Sequence, residues 1–374
     1  MNIGIVKEYQ HLEHRVALTP GGVQTLVKEG HSVYIESKAG DESKFSDENY
    51  REVGGEIVYS RSEVYGRSEM ILSVTEISPE DYEHLVDNHI ILSFHHMAVQ
   101  PRSSIEVIQE KKITVIGFEI IEEDDGLLPV LLSMSQIAGA MSVLAASEYL
   151  QNEKKGKGML LGGIPGVPPA AVVVLGAGIV GQSAIQAAIG LGAQVTVLDT
   201  NLRKLQTVKN HFHGTVITTY ANDYNVARAV AYADVLIGAV LIHGERTPNV
   251  VSREMVATMR PKSVIVDVSI DQGGCIETSR PTDFSAPVYE EEGVIHFCVS
   301  NIASNVSRTA THALTNAALP YIKQIANGGL EVLRESRDLS RGVYFCEGSC
   351  VNKAISELFD IKLDFINDVI QKNK

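Results

Sequence analysis

Ala171-Val-Val-Val-Leu-Gly176-Ala-Gly178-Ile-Val-Gly181 joins an apolar run to a helix-forming stretch through three glycines, and its reading decides the fold. Ala171 to Leu175 predicts a buried strand, and Ile179 to Leu191 predicts the helix that follows. Gly176 permits a tight turn, Gly178 lets backbone approach a ligand, and Gly181 allows the helix to lie close on the strand. A helix N-terminus opened in this way holds phosphate on its free N–H groups. Asp199 closes the next predicted strand, Gln194 to Leu198, where a carboxylate accepts from both ribose hydroxyls and repels a 2'-phosphate. Strand, glycine turn, helix and acid together predict a site for NAD rather than NADP. Arg203 and Lys204 follow closely; they either soften that preference or are solvated helix charges.

Working outward, Val216 to Thr219, Asp234 to Gly238 and Ser263 to Val268 continue the strands of this half. Ahead of it, Ile3 to Val6, His31 to Glu36, Met70 to Val74, His89 to Phe94 and Ile113 to Glu119 form a second series alternating with helical stretches. Thr19-Pro20 reads as an N-cap with proline in the first turn of a helix that stops at Gly30. Ser133 to Leu150 carries apolar residues at helical spacing, Gly156 to Pro169 reads as a loop, and Ala310 to Gln324 reads as helix again. The expected architecture is α/β, with two Rossmann-like domains, parallel sheets and a cleft between them. Residues 131–304 form the NAD-binding domain, and 1–130 with 305–374 form a discontinuous substrate domain.

A chain of 374 residues exceeds what one core usually serves, in keeping with two domains. A net charge of −14 and a pI near 5.3 argue against a nucleic-acid or anionic-lipid partner and favour a small molecule. Met1 to Lys7 lacks the marks of a signal peptide, and we read no uncharged apolar run of the roughly 18 residues that span a membrane. The expected location is the cytoplasm. Cys275, Cys298, Cys346 and Cys350 are too few for a disulfide scaffold and read as inert thiols, with no metal site.

Ligands of an open parallel sheet lie at the carboxyl ends of its strands. Thr75 and His96 fall there in the first half, and Asp271, opening Asp271-Gln-Gly-Gly-Cys275, falls there in the second. Histidine as a residue type exchanges a proton in the physiological range, so His96 suits a proton donor or a partner to a carbonyl. His95 points the opposite way if strand geometry persists. Arg15, in His14-Arg-Val-Ala-Leu-Thr-Pro20, either offers its fork to a carboxylate or is a surface arginine. Asp271 is alternatively a turn former.

With those residues in hand, the chain resembles the family of alanine dehydrogenase and the NAD-binding subunit of the proton-pumping nicotinamide nucleotide transhydrogenase. The likeness rests on Arg15-Val-Ala-Leu-Thr-Pro20, Gly162-Gly-Ile-Pro-Gly-Val-Pro168, the loop Gly176 to Gly181, Ile237-Gly-Ala-Val-Leu241, Val266 to Pro281, Leu314 to Pro320 and Arg341 to Gly348. It implies reversible oxidative deamination of L-alanine to pyruvate and ammonia, in a cleft between two Rossmann-like domains, usually in a homohexamer. By motif match Arg15 binds the substrate carboxylate, with Thr75 beside it. His96 meets the carbonyl oxygen and Asp271 assists proton transfer. Ser135, Gly176, Gly178, Ile179, Val180, Gly181, Asp199, Lys204, Val240, Leu241 and Asn301 make up the NAD set. The transhydrogenase reading is the weaker of the two, since that subunit works on a membrane partner.

Three stretches depart from the family's pattern. A Lys-Val-Lys-Glu-Pro-like segment reads Ser73-Val-Thr75-Glu76-Ile77, so a neutral hydroxyl stands where a lysine is expected. Charge-assisted hydrogen bonds are roughly twice as strong as neutral ones, so carboxylate anchoring is expected to weaken. Two alternatives stay open on that ground: an NADH-dependent reductase of another oxo acid or imine, and a catalytically weakened NAD-binding protein. A helical Glu and Arg of the family become Gln136 and Ala140, a joint loss that leaves neither charge stranded. A family Asn-Met-Pro-Gly becomes Asn301-Ile-Ala-Ser304.

Overall fold

A computed structural model describes residues 1–9, 12–240 and 247–372. The chain forms two compact units, Met1–Met134 with Ser304–Lys374, and Ser135–Ala303. In chain order the first contributes strands β1 (Asn2–Ile5), β2 (Ser32–Glu36), β3 (Glu56–Val58), β4 (Met70–Leu72), β5 (Ile90–Ser93) and β6 (Thr114–Gly117). The second contributes β7 (Ala171–Leu175), β8 (Gln194–Asp199), β9 (Ile217–Tyr220), β10 (Val235–Gly238), β11 (Val264–Asp267), β12 (Val288–Glu291) and β13 (Val294–Phe297). The first unit then closes with β14 (Val343–Cys346) and β15 (Ser349–Cys350).

The parallel part of each sheet has one plan: β3-β2-β1-β4-β5-β6 in the first unit and β9-β8-β7-β10-β11-β13 in the second. In each, a central strand lies beside a non-sequential neighbour, β1 beside β4 and β7 beside β10. The chain leaves those two carboxyl ends in opposite directions, which opens a crevice for a ligand.

The sheets are not wholly parallel as expected. β12 pairs antiparallel with β13, and β14 with both β6 and β15. Both hairpins close on the dipeptide Glu-Gly, Glu292-Gly293 and Glu347-Gly348, with φ of 49° and 74° in one and 46° and 78° in the other. Positive φ at both central residues is the turn that matches strand twist, and it forces the antiparallel return. Glutamate is an uncommon first residue for that turn, so the sequence did not advertise it.

In the second unit, Val172, Val174, Val197, Ile237 and Val266 bury one face of the sheet against Ala184, Ile185 and Ala188. Val173, Leu175, Leu198, Leu236 and Ile265 bury the other against Val226 and Val230. Burial on both faces explains the unbroken valine runs, each such side chain contributing about 1.5–3 kcal/mol.

The helix expected from Ser133 starts at Pro129 and runs to Tyr149, proline being tolerated in a first turn. Its mean hydropathy of 1.6 corrects the reading that no run reaches membrane-spanning length; Ser133, Ser135, Gln136 and Ser142 interrupt it without adding charge. Val143, Ala146 and Tyr149 lie in the core of the second unit, which accounts for the apolar composition of this end.

Candidate active site

The nucleotide-type loop occupies the crevice between β7 and β10. Gly176 has φ +103°, and a Cβ there would stand 2.2 Å from the carbonyl oxygen of Ala239, just past β10. A Cβ on Gly181 would stand 1.9 Å from the carbonyl oxygen of Gly176, so this turn accepts no side chain at either position. Gly178 caps the helix Ile179–Gly190, and a Cβ on it would meet nothing within 4 Å: the helix end faces open space. Ile179 is exposed and Val180 half-buried in its first turn.

Asp199, half-buried at the end of β8, accepts from Ala177 N at 2.7 Å and from Asn201 N at 2.6 Å, which fixes its carboxylate beside the glycine turn. Arg203 and Lys204 open the next helix, exposed, with their N–H groups capped by Asn201. Val240 follows Ala239 and donates its N–H to Ser269 Oγ at 3.0 Å. Leu241 lies outside the described residues. An open helix N-terminus, a glycine turn and an acid side by side are the donor set a dinucleotide requires, so these residues fit NAD.

The chain leaves β11 at Asp267, a buried acid that accepts from Ser269 N at 3.1 Å and Cys275 N at 3.0 Å. Burial pushes its pKa up. The loop it braces carries Asp271, whose Oδ1 accepts from Asn301 N at 3.2 Å, Asn301 being in the left-handed region at φ 53°. Asp271 and Asn301, singled out separately, therefore meet past the carboxyl ends of β11 and β13. Ser135 lies half-buried on the helix Pro129–Tyr149, as does Ala140, while Gln136 is exposed. A Cβ on Gly139 of that helix would stand 2.3 Å from Val180 O, so the two helices touch through backbone.

In the first unit Arg15 is not a surface arginine: it is 4% exposed. Its Nε and Nη2 donate to the two oxygens of Glu13 at 2.7 and 2.6 Å, and Nη1 lies 3.4 Å from Met134 Sδ. Val16 N and Thr19 N donate to Thr311 and Thr315 on the returning helix Ser307–Gly328, and Tyr50 donates to Leu18 O. The arginine's segment is thus tied on both sides.

Thr75 lies past β4 and Glu8 past β1, facing each other across the crevice of this sheet. Glu8 accepts from Val74 N at 2.6 Å, Thr75 N at 3.2 Å and Thr75 Oγ1 at 2.6 Å. Burial, with the charge of Glu13 adding to it, raises its pKa to about 7 against the lowering effect of the Thr75 hydroxyl and the Val74 N–H. A buried acid faces the hydroxyl that stands at the expected lysine.

The strand expected through Phe94 stops at Ser93, so His95 and His96 do not alternate as strand residues. His96 adopts φ 45°, ψ 47° and is half-buried, its ring stacked on Phe94. His95 is 1% exposed, and burial drives its pKa down to about 4, so it is neutral at pH 7. Glu119, past β6, accepts from the N–H of both histidines and from the Tyr344 hydroxyl.

Sequence reading missed Glu8, Glu13, Glu119 and Tyr344. Glu8 and Glu119 follow the carboxyl ends of β1 and β6, so the rule that found Thr75 and His96 also covers them. Glu13 stands two residues from Arg15 and pairs with its guanidinium. Tyr344 falls within Arg341 to Gly348, a stretch that carries the resemblance, but its strand went unrecognised and no role was read for it. All four cysteines are buried free thiols with raised pKa, Cys298 to about 11 and Cys346 to about 12. No group of metal-ligating side chains occurs among the described residues.

The N-terminal domain model of alanine dehydrogenase/PNT matches residues 4–138 and the C-terminal one residues 142–353. An alanine dehydrogenase of Methanococcus maripaludis is 45% identical over 363 residues, 96% of this chain and 97% of that protein. One from Bacillus subtilis is 41% identical over 358 residues, covering 95% and 94%. A solved L-alanine dehydrogenase superposes with a TM-score of 0.91 at 40% identity, covering 96% of this chain and 99% of its own. A Sinorhizobium meliloti transhydrogenase, at 23% identity and a TM-score of 0.78 over 95% of this chain and all of its own, shares the fold. On full-length identity and matched domains alike, the chain belongs to the alanine dehydrogenase/PNT family.

Proposed function

We propose that this chain is an NAD-dependent alanine dehydrogenase, interconverting L-alanine and water with pyruvate and ammonium. The observation that carries the reading is the 45% identity, over nearly the whole of both chains, with the Methanococcus maripaludis alanine dehydrogenase. Matches of that extent do not favour reduction of another oxo acid or imine, or a protein that only binds cofactor. NAD, when bound, would supply the acceptor for the hydride that leaves the substrate's α-carbon. Gly176, Gly178 and Gly181 would admit its pyrophosphate to the helix N-terminus, with Ile179, Val180 and Val240 beside it. Asp199 receives the ribose hydroxyls, with Lys204 nearby, and Ser135 and Asn301 contact the cofactor.

On the substrate, Arg15 holds the carboxylate, its orientation fixed by Glu13, and Thr75 adds a neutral contact. His96 holds or releases a proton at the carbonyl oxygen, and Asp271, oriented by the Asn301 N–H, moves a proton at the amino group. Assembly as a homohexamer and residence in the cytoplasm belong to the same proposal. The test is loss of NADH absorbance with pyruvate and ammonium supplied together. Turnover that needs both is expected; none at saturating pyruvate and ammonium overturns the reading.

Asp199→Ser removes the charge that repels a 2'-phosphate and leaves exposed Arg203 and Lys204 to attract one. The ratio of kcat/KM for NADH over NADPH is expected to fall about fivefold, roughly 1 kcal/mol. An unchanged ratio shows that Asp199 does not set the preference.

A further inference from the structure

We infer that Glu119, held by Tyr344 of the C-terminal strand β14, is the positioning residue that sets the orientation of His96. The inference rests on the proposed contact between His96 and the substrate. Glu119 is 5% exposed, and its Oε1 accepts from His96 N at 2.7 Å. His95 N lies 3.1 and 3.2 Å from its two oxygens, so consecutive N–H groups converge on one carboxylate. His96, the second of that pair, is left-handed, a conformation that costs a non-glycine residue energy and persists only where its surroundings demand it. Without the acceptor, two N–H groups in a largely buried turn lose their partner, and the chain gains by relaxing toward extended backbone, which swings the His96 ring away.

The acid is itself fixed. Tyr344 donates its hydroxyl to Glu119 Oε1 at 2.9 Å. A Cβ on Gly117 would stand 2.5 Å from Tyr344 Cε2 and 3.0 Å from Glu119 Oε2, so glycine at the end of β6 is what lets tyrosine and acid close on each other. Gln100 Nε2 donates to His95 O at 3.1 Å and holds the turn from its far side. His95 is spent inside the fold, which leaves His96 as the ring this arrangement presents.

Glu119→Gln keeps the shape but turns an N–H₂ toward one of the two backbone donors. We expect it to lower kcat about fivefold, with the Kd for NADH by fluorescence titration unchanged. His96→Ala is expected to lower kcat about a hundredfold, and the double variant to match His96→Ala alone, because a residue acting only through His96 has nothing left to act on. Tyr344→Phe, a milder change expected to cost about twofold, runs through the same cycle if Glu119→Gln does not fold. Losses that multiply in the double variant, or a folded Glu119→Gln with unchanged kcat, overturn the inference. Full activity in His96→Ala instead removes the reading of His96 on which it rests.

Discussion

Replacing Arg15 with methionine is expected to lower kcat/KM for pyruvate by at least about a hundredfold and to destabilise the protein by about 3–5 kcal/mol. Two separate losses add here. On the proposed reading the substrate carboxylate loses a charged partner, an interaction worth about 1.5–3 kcal/mol. Glu13, whose side chain is 2% exposed, is left as a buried anion without the fork that compensates it. The double variant Arg15→Met/Glu13→Gln tells the losses apart, since removing the stranded charge recovers most of the melting temperature and none of the turnover. Activity returning with stability in the double variant would make Arg15 a structural residue only.

The second large effect is a gain. Thr75→Lys places an ammonium where Glu8 already has its oxygens fixed by Val74 N and Thr75 N. Exchanging a neutral for a charged hydrogen bond to the substrate carboxylate is worth about 1–2 kcal/mol, so kcat/KM for pyruvate is expected to rise roughly twentyfold, mostly through KM. A KM unchanged in the variant removes the argument that Thr75 limits carboxylate binding.

Stability carries the same signature. The Glu8 pKa in the fold, about 7, lies above the ordinary 4.5, so wild type is favoured while Glu8 is protonated and loses stability as pH rises from about 4.5 through 7. The full loss is about 3 kcal/mol. A lysine partner brings the pKa down and removes that loss, so the melting temperature of Thr75→Lys relative to wild type should climb between pH 5 and pH 8. A difference independent of pH would show that lysine 75 does not reach Glu8.

Glycine and valine made the second unit readable. Gly176 and Gly181 admit no other residue, and a strand buried on both faces writes itself as an apolar run, so the three-glycine loop located both a unit and the glycine turn between β7 and β10. The first unit was readable only in part. Thr75 and His96 followed from strand ends, but Arg15 was indistinguishable from a surface arginine without the fold that buries it. Glu8, Glu13 and Glu119 look like any surface acid in a chain with 46 acidic residues; burial alone gives each its role. β14 escaped because a Glu-Gly turn carries little signal and its partner, β6, lies far away in sequence.

That distance has a consequence for synthesis. The hydrogen bond from Tyr344 to Glu119 joins residues 225 positions apart, across the whole of the second unit. On a ribosome that releases the chain from its N-terminus, residues 135–303 emerge as one uninterrupted stretch and have all their partners early, while the sheet begun by β1 waits for β14 with one edge bare. The first unit is therefore the last to finish, and its half-made sheet is the stage at which a chaperone has something to hold.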